Sequence, residues 1–168
     1  MAFVIPENLH EDLYPLAWMI GSWAGTGVCE YPEIERFEYS QDVTFKYTGQ
    51  NYLYYVSKTS VIDVNKDFVR PLEMETGFWR CVDKKIVEVV LAQSSGLSQS
   101  WAGIFERNNA MINLPLDRAI SNPSVPNIAE GQRLYGNVHG QLFMSYDVAM
   151  NGHELQAYMW STLARKVE

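Results

Sequence analysis

Apolar and polar residues alternate with a period of two along most of the chain, the spacing of strands with one covered face. Val43, Phe45 and Tyr47 alternate with Thr44 and Lys46. Residues 52–61 are a β-branched and aromatic run, and 78–82, 86–92, 101–105 and 111–114 continue the pattern. Asp83-Lys84 and Asn108-Asn109 read as turns. His139-Gly140 and Asn151-Gly152 read as tight hairpins joining strands at 132–138, 141–148 and 154–165. One helical stretch is predicted, at 7–20. There Leu13, Leu16, Ala17 and Ile20 make a stripe, Glu11 and Asp12 suit the first turn, and Gly21 stops it. Pro15 divides that stretch, so two short turns fit as well as one helix. Residues 115–131 carry Pro115, Pro123 and Pro126 without clean alternation and are expected to form a long polar loop. About ten short strands with frequent turns mean a sandwich or a closed barrel. A barrel leaves no aromatic edge strand exposed, and one of this size can hold a small ligand.

Composition narrows the picture. A chain of 168 residues predicts one domain, spanning 1–168. Its hydrophobic content of 47% with 20% charged residues excludes a disordered chain. A net charge of −7 argues against binding nucleic acid or an anionic membrane surface. No stretch approaches the roughly 20 apolar residues of a membrane-spanning helix. The first residues lack the basic start of a signal peptide, so the expected location is cytoplasmic. Cys29 and Cys81 are expected to be buried free thiols. No CxxC, HExxH or Cys/His cluster suggests zinc, so no metal site is expected. No GxSxG elbow, P-loop or dinucleotide-binding glycine fingerprint is present.

Gly21, Trp23, Gly25 and Gly27 form a GxWxGxG motif, followed by Glu30-Tyr-Pro-Glu-Ile34. Three glycines at this spacing allow a strongly bent first strand and close backbone approach, and Trp23 would fill the closed end of a barrel. ETGFWR at 75–80, LAQSSG at 91–96, RLYG at 133–136 and LQAYM at 155–159 follow in order. This series resembles the nitrobindin family, a fatty-acid-binding-protein-like group, whose corresponding stretches are ETGYWR, LAHPTG, RLYG and LQPHL. The resemblance runs from about residue 13 to 165. It implies an all-β fold: a ten-stranded antiparallel calycin-like barrel with a short N-terminal helical lid. It also implies a cavity for ferric haem b held by a histidine of the last strand, with isomerisation of peroxynitrite to nitrate as the activity.

The sequence departs from that pattern at three positions. Tyr158 stands where the family has its haem-ligating histidine. Pro126 aligns with the family's haem-contacting lysine, and Gln93 with the histidine of LAHPTG. A neutral imidazole binds iron without losing a proton, whereas a phenol must first ionise from a pKa of about 10. The expectation is therefore a nitrobindin-like barrel with no cofactor and no catalytic residue, whose cavity takes a hydrophobic small molecule. The alternative is a haem-b-binding peroxynitrite isomerase that uses Tyr158, or no protein ligand, on the iron. A fatty-acid carrier is a weaker alternative, because no arginine pair for a carboxylate is identifiable.

Other residues have ordinary readings. His139 and His153 are expected in exposed turns, and His10 at the mouth of the helix. Trp79, Trp101 and Trp160 are expected as core. Glu73 and Glu75 lie two apart on one strand face, a spacing that suits acid–base work, although Glu75 belongs to the ETGFWR stretch. In the last strand, Leu155, Ala157, Met159 and Leu163 form one face and Gln156, Tyr158, Trp160 and Thr162 the other. Both carry apolar bulk, so one is expected in the cavity, and the other is a surface on which a homodimer could form.

Overall fold

The computed structural model describes residues 4–106 and 110–167. Ten strands follow a single 3-10 helix at Glu11–Met19: β1 Gly21–Tyr31, β2 Ile34–Tyr47, β3 Leu53–Ile62, β4 Phe68–Val82, β5 Ile86–Gln93, β6 Leu97–Glu106, β7 Met111–Ser121, β8 Ile128–Val138, β9 Gln141–Met150 and β10 Gln156–Arg165. Each pairs antiparallel with its sequence neighbour, and β10 returns to β1, closing the barrel. The hairpin chemistry follows the sequence. His139 and Gly140 have φ of 52° and 80°, and Asp83 and Lys84 have 51° and 55°, the left-handed pair that a tight turn between twisted strands requires. The Asn108-Asn109 turn lies outside the described residues.

The GxWxGxG stretch fastens the helix into one end of the barrel. Trp23 is fully buried among Leu13, Leu16 and Met19 of the helix and Phe45 of β2. Its indole N–H donates to the Met19 carbonyl at 2.8 Å, and the Arg165 guanidinium lies 4.1 Å above its ring. Arg165 also donates to the Trp18 carbonyl at 2.8 Å. Each fully buried leucine contributes about 1.5–3 kcal/mol. Gly27 explains the glycine spacing: a Cβ there would stand 2.4 Å from both the Trp160 carbonyl and the Tyr39 ring. The helix forms as a single 3-10 element with Pro15 inside it, shorter than the predicted 7–20.

Two other expectations are corrected. Residues 115–131 are not one long loop, for β7 continues through Pro115 to Ser121 and β8 begins at Ile128. Pro115 is tolerated because the β7–β8 ladder ends there, opposite Gln132, while β6 still pairs with β7 as far as Ser121. The last strand does not alternate as predicted. Its pairing with β9 slips between Ala157 and Met159, which makes Tyr158 a bulge residue. Tyr158 and Met159 consequently both line the interior, with Ser161, while Gln156, Ala157 and Thr162 are exposed.

Candidate functional site

The end of the barrel away from the helix holds a cavity of about 330 Å³, at the small end of the range for ligand pockets. No residue of the helix lines it. Its floor is a buried ion pair between strands distant in sequence. Arg133 of β8 donates from its two terminal nitrogens to the two Glu75 oxygens, at 2.7 and 2.6 Å. Glu75 also accepts from Tyr55 at 3.1 Å and from Gln93 at 2.7 Å. Arg133 donates further to Gln99 at 3.2 Å and Tyr135 at 3.3 Å. Its guanidinium is stacked 4.3 Å from the Tyr146 ring and 5.0 Å from the Trp101 ring. Burial alone would raise the Glu75 carboxyl, but the adjoining guanidinium outweighs it and holds the group below the ordinary carboxylate range. The pair is therefore ionised, and its charges cancel within the protein. Glu75 is not available as an acid or base.

The β2–β10 wall satisfies its own polar groups. Ser161 donates to Gln41 at 2.6 Å, and Gln41 donates to Ser57 at 3.0 Å. Higher up, Tyr158 packs edge-on to Tyr31 and Tyr146, with ring centroids 5.7 Å away in each case. Burial, with Cys29 beside the phenol, raises the Tyr158 pKa well above that of a free tyrosine. Burial likewise pushes the Cys29 thiol up to about 11. The turn at 122–127 closes part of the mouth with Val125 and Pro126.

Gln93, Pro126 and Tyr158, the three positions that the motif comparison expects to differ from the nitrobindin pattern, all line this one cavity. Gly21, Trp23, Gly25 and Gly27 do not line it; they build the opposite end and the β1–β10 seam. Glu73 and Glu75 both point inward. None of the three histidines lines the cavity. His10 caps the helix, His139 sits in the β8–β9 turn, and His153 is partly covered, its ring 5.8 Å from Tyr31 and its Nε2 3.9 Å from Glu33. Trp79 and Trp101 are core, whereas Trp160 is half-buried. Cys29 and Cys81 are free and buried. Among the described residues no group of His, Cys, Asp and Glu could hold a metal ion, and no helix is long and apolar enough to cross a membrane.

Arg133, Gln99 and Tyr146 were not anticipated as site residues. Arg133 carries the inward face of the RLYG stretch. Its partner lies 58 residues away, and that pairing has no local signature. Arg133 is the one arginine among the described residues that line the cavity.

The residues present do not fit a haem held through imidazole. The candidate donors around Tyr158 are its own phenol and the Cys29 thiol, both held protonated by burial. Among the described residues no cation acts on Tyr158 to favour its phenolate.

A closed ten-stranded antiparallel barrel, plugged at one end and hollow at the other, is the architecture of the calycin class. Residues 12–165 match the THAP4-like, heme-binding beta-barrel domain. A ferric nitrobindin-like protein of Cutibacterium acnes is 40% identical over 98% of this chain and 99% of its own. A peroxynitrite isomerase of a Nocardioides species is 36% identical over 99% of this chain and the whole of its own. Among solved structures, Rv2717c from M. tuberculosis superimposes with a TM-score of 0.85 at 30% identity, covering 95% of this chain and 99% of that one. The chain belongs to the THAP4-like heme-binding barrel domain family, that of the nitrobindins.

Proposed function

We propose that this chain is a ferric nitrobindin-like barrel that holds no histidine-ligated haem and does not isomerise peroxynitrite, its cavity taking a hydrophobic small molecule instead. The observation that carries this reading is Tyr158. On the motif order it stands at the family's histidine position; it lines the cavity from a bulge in β10 and is kept neutral by burial. A neutral phenol is a poor iron ligand. The reading is supported by the self-satisfied polar wall at Gln41, Ser57 and Ser161, which asks nothing of an occupant. The Arg133–Glu75 pair speaks against a fatty-acid carrier, because the arginine that would clamp a carboxylate already holds one. The same reading keeps the protein in the cytoplasm.

A second reading is favoured by the close likeness to a protein named peroxynitrite isomerase. In it haem b binds through Tyr158, or without a protein ligand, and the activity persists.

Titration of ferric haem into the wild type and Tyr158→His, followed at the Soret band, separates the two. The first reading expects no saturable shift in the wild type and a saturable one in Tyr158→His. A stoichiometric wild-type complex with a tyrosinate-like spectrum, or haem-dependent acceleration of nitrate formation, would overturn it.

A further inference from the structure

We infer that the cavity selects a small organic amine, its ammonium held at the Glu73 carboxylate and its apolar body inside the barrel. This rests on the reading that the cavity holds an organic molecule rather than a histidine-bound haem. Three charged residues line the cavity: Glu73, Glu75 and Arg133. The last two neutralise each other through two short bonds. Glu73 is left as the single uncompensated charge of the lining, with no ion pair among the described residues. It sits two residues before Glu75 on β4, hence on the same inward face but nearer the mouth.

Glu73 is also held in place. Its Oε1 accepts from the backbone N–H of Met74 at 3.1 Å and of Ser95 at 3.2 Å, and from the Ser94 hydroxyl. The bonds from Ser94 and Ser95 tie the carboxylate to the β5–β6 turn. Oε2 accepts no hydrogen bond among the described residues. A carboxylate with one oxygen fixed and the other open, at the rim of an apolar chamber, suits an N–H donor that brings a positive charge. The charge reaches across the chamber, for Glu73 is among the groups that oppose ionisation of Tyr158, after burial, Cys29 and Tyr146. The rings of Tyr39 and Tyr158 also line the chamber, and aromatic rings attract an ammonium that reaches their faces. A carboxylate-bearing ligand would instead meet Glu73 as a like charge.

The test uses three ligands with the same phenyl body: phenethylamine, 2-phenylethanol and 3-phenylpropionate. Each is titrated calorimetrically at pH 7 and low salt into the wild type and into Glu73→Gln, which keeps an acceptor for the Ser94–Ser95 turn. The expected result is that the wild type binds the amine about tenfold or more tightly than the alcohol, and the acid more weakly than either. Glu73→Gln should bring the amine down to the level of the alcohol and leave the alcohol unchanged. Equal amine and alcohol affinity in the wild type, or an amine preference that survives Glu73→Gln, overturns the assignment of Glu73 while leaving an apolar ligand in the cavity. Saturable wild-type haem binding overturns the underlying reading instead. Failure of all three ligands to bind overturns the amine assignment.

Discussion

Glu75→Gln should destabilise the barrel severely, for a reason that a second substitution can isolate. Gln is nearly isosteric and keeps one acceptor, so packing changes little. What is lost is the countercharge to Arg133, whose side chain is only 6% exposed. The guanidinium is packed away from water against the rings of both Trp101 and Tyr146. Its Nε is already buried without a partner among the described residues. Leaving one member of a buried pair uncompensated typically costs about 3–5 kcal/mol. For a domain of this size about 2–4 °C of melting temperature accompanies each kcal/mol, so a fall of about 6–20 °C is expected. Thermal and urea melts of the wild type, Glu75→Gln, and the double variant Glu75→Gln/Arg133→Met measure it. The double variant should regain half of the loss or more, since the stranded charge is gone. A Glu75→Gln protein melting within about 2 °C of the wild type would refute the account, as would a double variant less stable than the single. Glu75→Gln should also gain affinity for 3-phenylpropionate, because the released guanidinium can then take a carboxylate from the ligand.

The same pair sets the acid response. Glu75 has a folded pKa below its unfolded value of about 4.3. Its stabilisation is therefore fully present above that value and is lost as pH falls through the lower folded one. Melting curves of the wild type should lose more stability below about pH 4 than those of the double variant, and parallel curves would contradict this. Gly27→Ala places a methyl against the Trp160 carbonyl and the Tyr39 ring. It should cost about 1–3 kcal/mol, seen as a lower urea midpoint at unchanged m-value, whereas an unchanged midpoint would show that Tyr39 yields freely.

The strands and hairpins were legible because their information is local. Alternation of Val43, Phe45 and Tyr47 and the left-handed pair His139-Gly140 each report on their own few residues. The role of Trp23 was legible for a related reason: a large ring between glycines needs a chamber to fill. Local reading failed where pairing decided the outcome. Pro115 looks like a loop residue, yet it lies in a strand because only one side of β7 needs a partner beyond it. Tyr158 and Met159 were read onto opposite faces, whereas a bulge adds one residue and turns both inward. Glu75 and Arg133 were visible only as parts of separate stretches. Their union, like the isolation of Glu73 that results from it, exists only once the barrel closes.

The break in the β7–β8 ladder beyond Pro115 and Gln132 has a kinetic consequence. Elsewhere around the barrel, admitting a molecule would require parting hydrogen-bonded strands, an event tied to unfolding. Along this seam, next to Val125, Pro126 and Ile128 at the mouth, no ladder joins the two strands among the described residues. Passage there needs only side chains and the 122–127 turn to move. Occupancy of the chamber can therefore turn over on the timescale of a loop while the rest of the barrel stays shut, and those amide protons of residues 116–121 that face β8 rather than the β6 ladder should exchange long before those of β1.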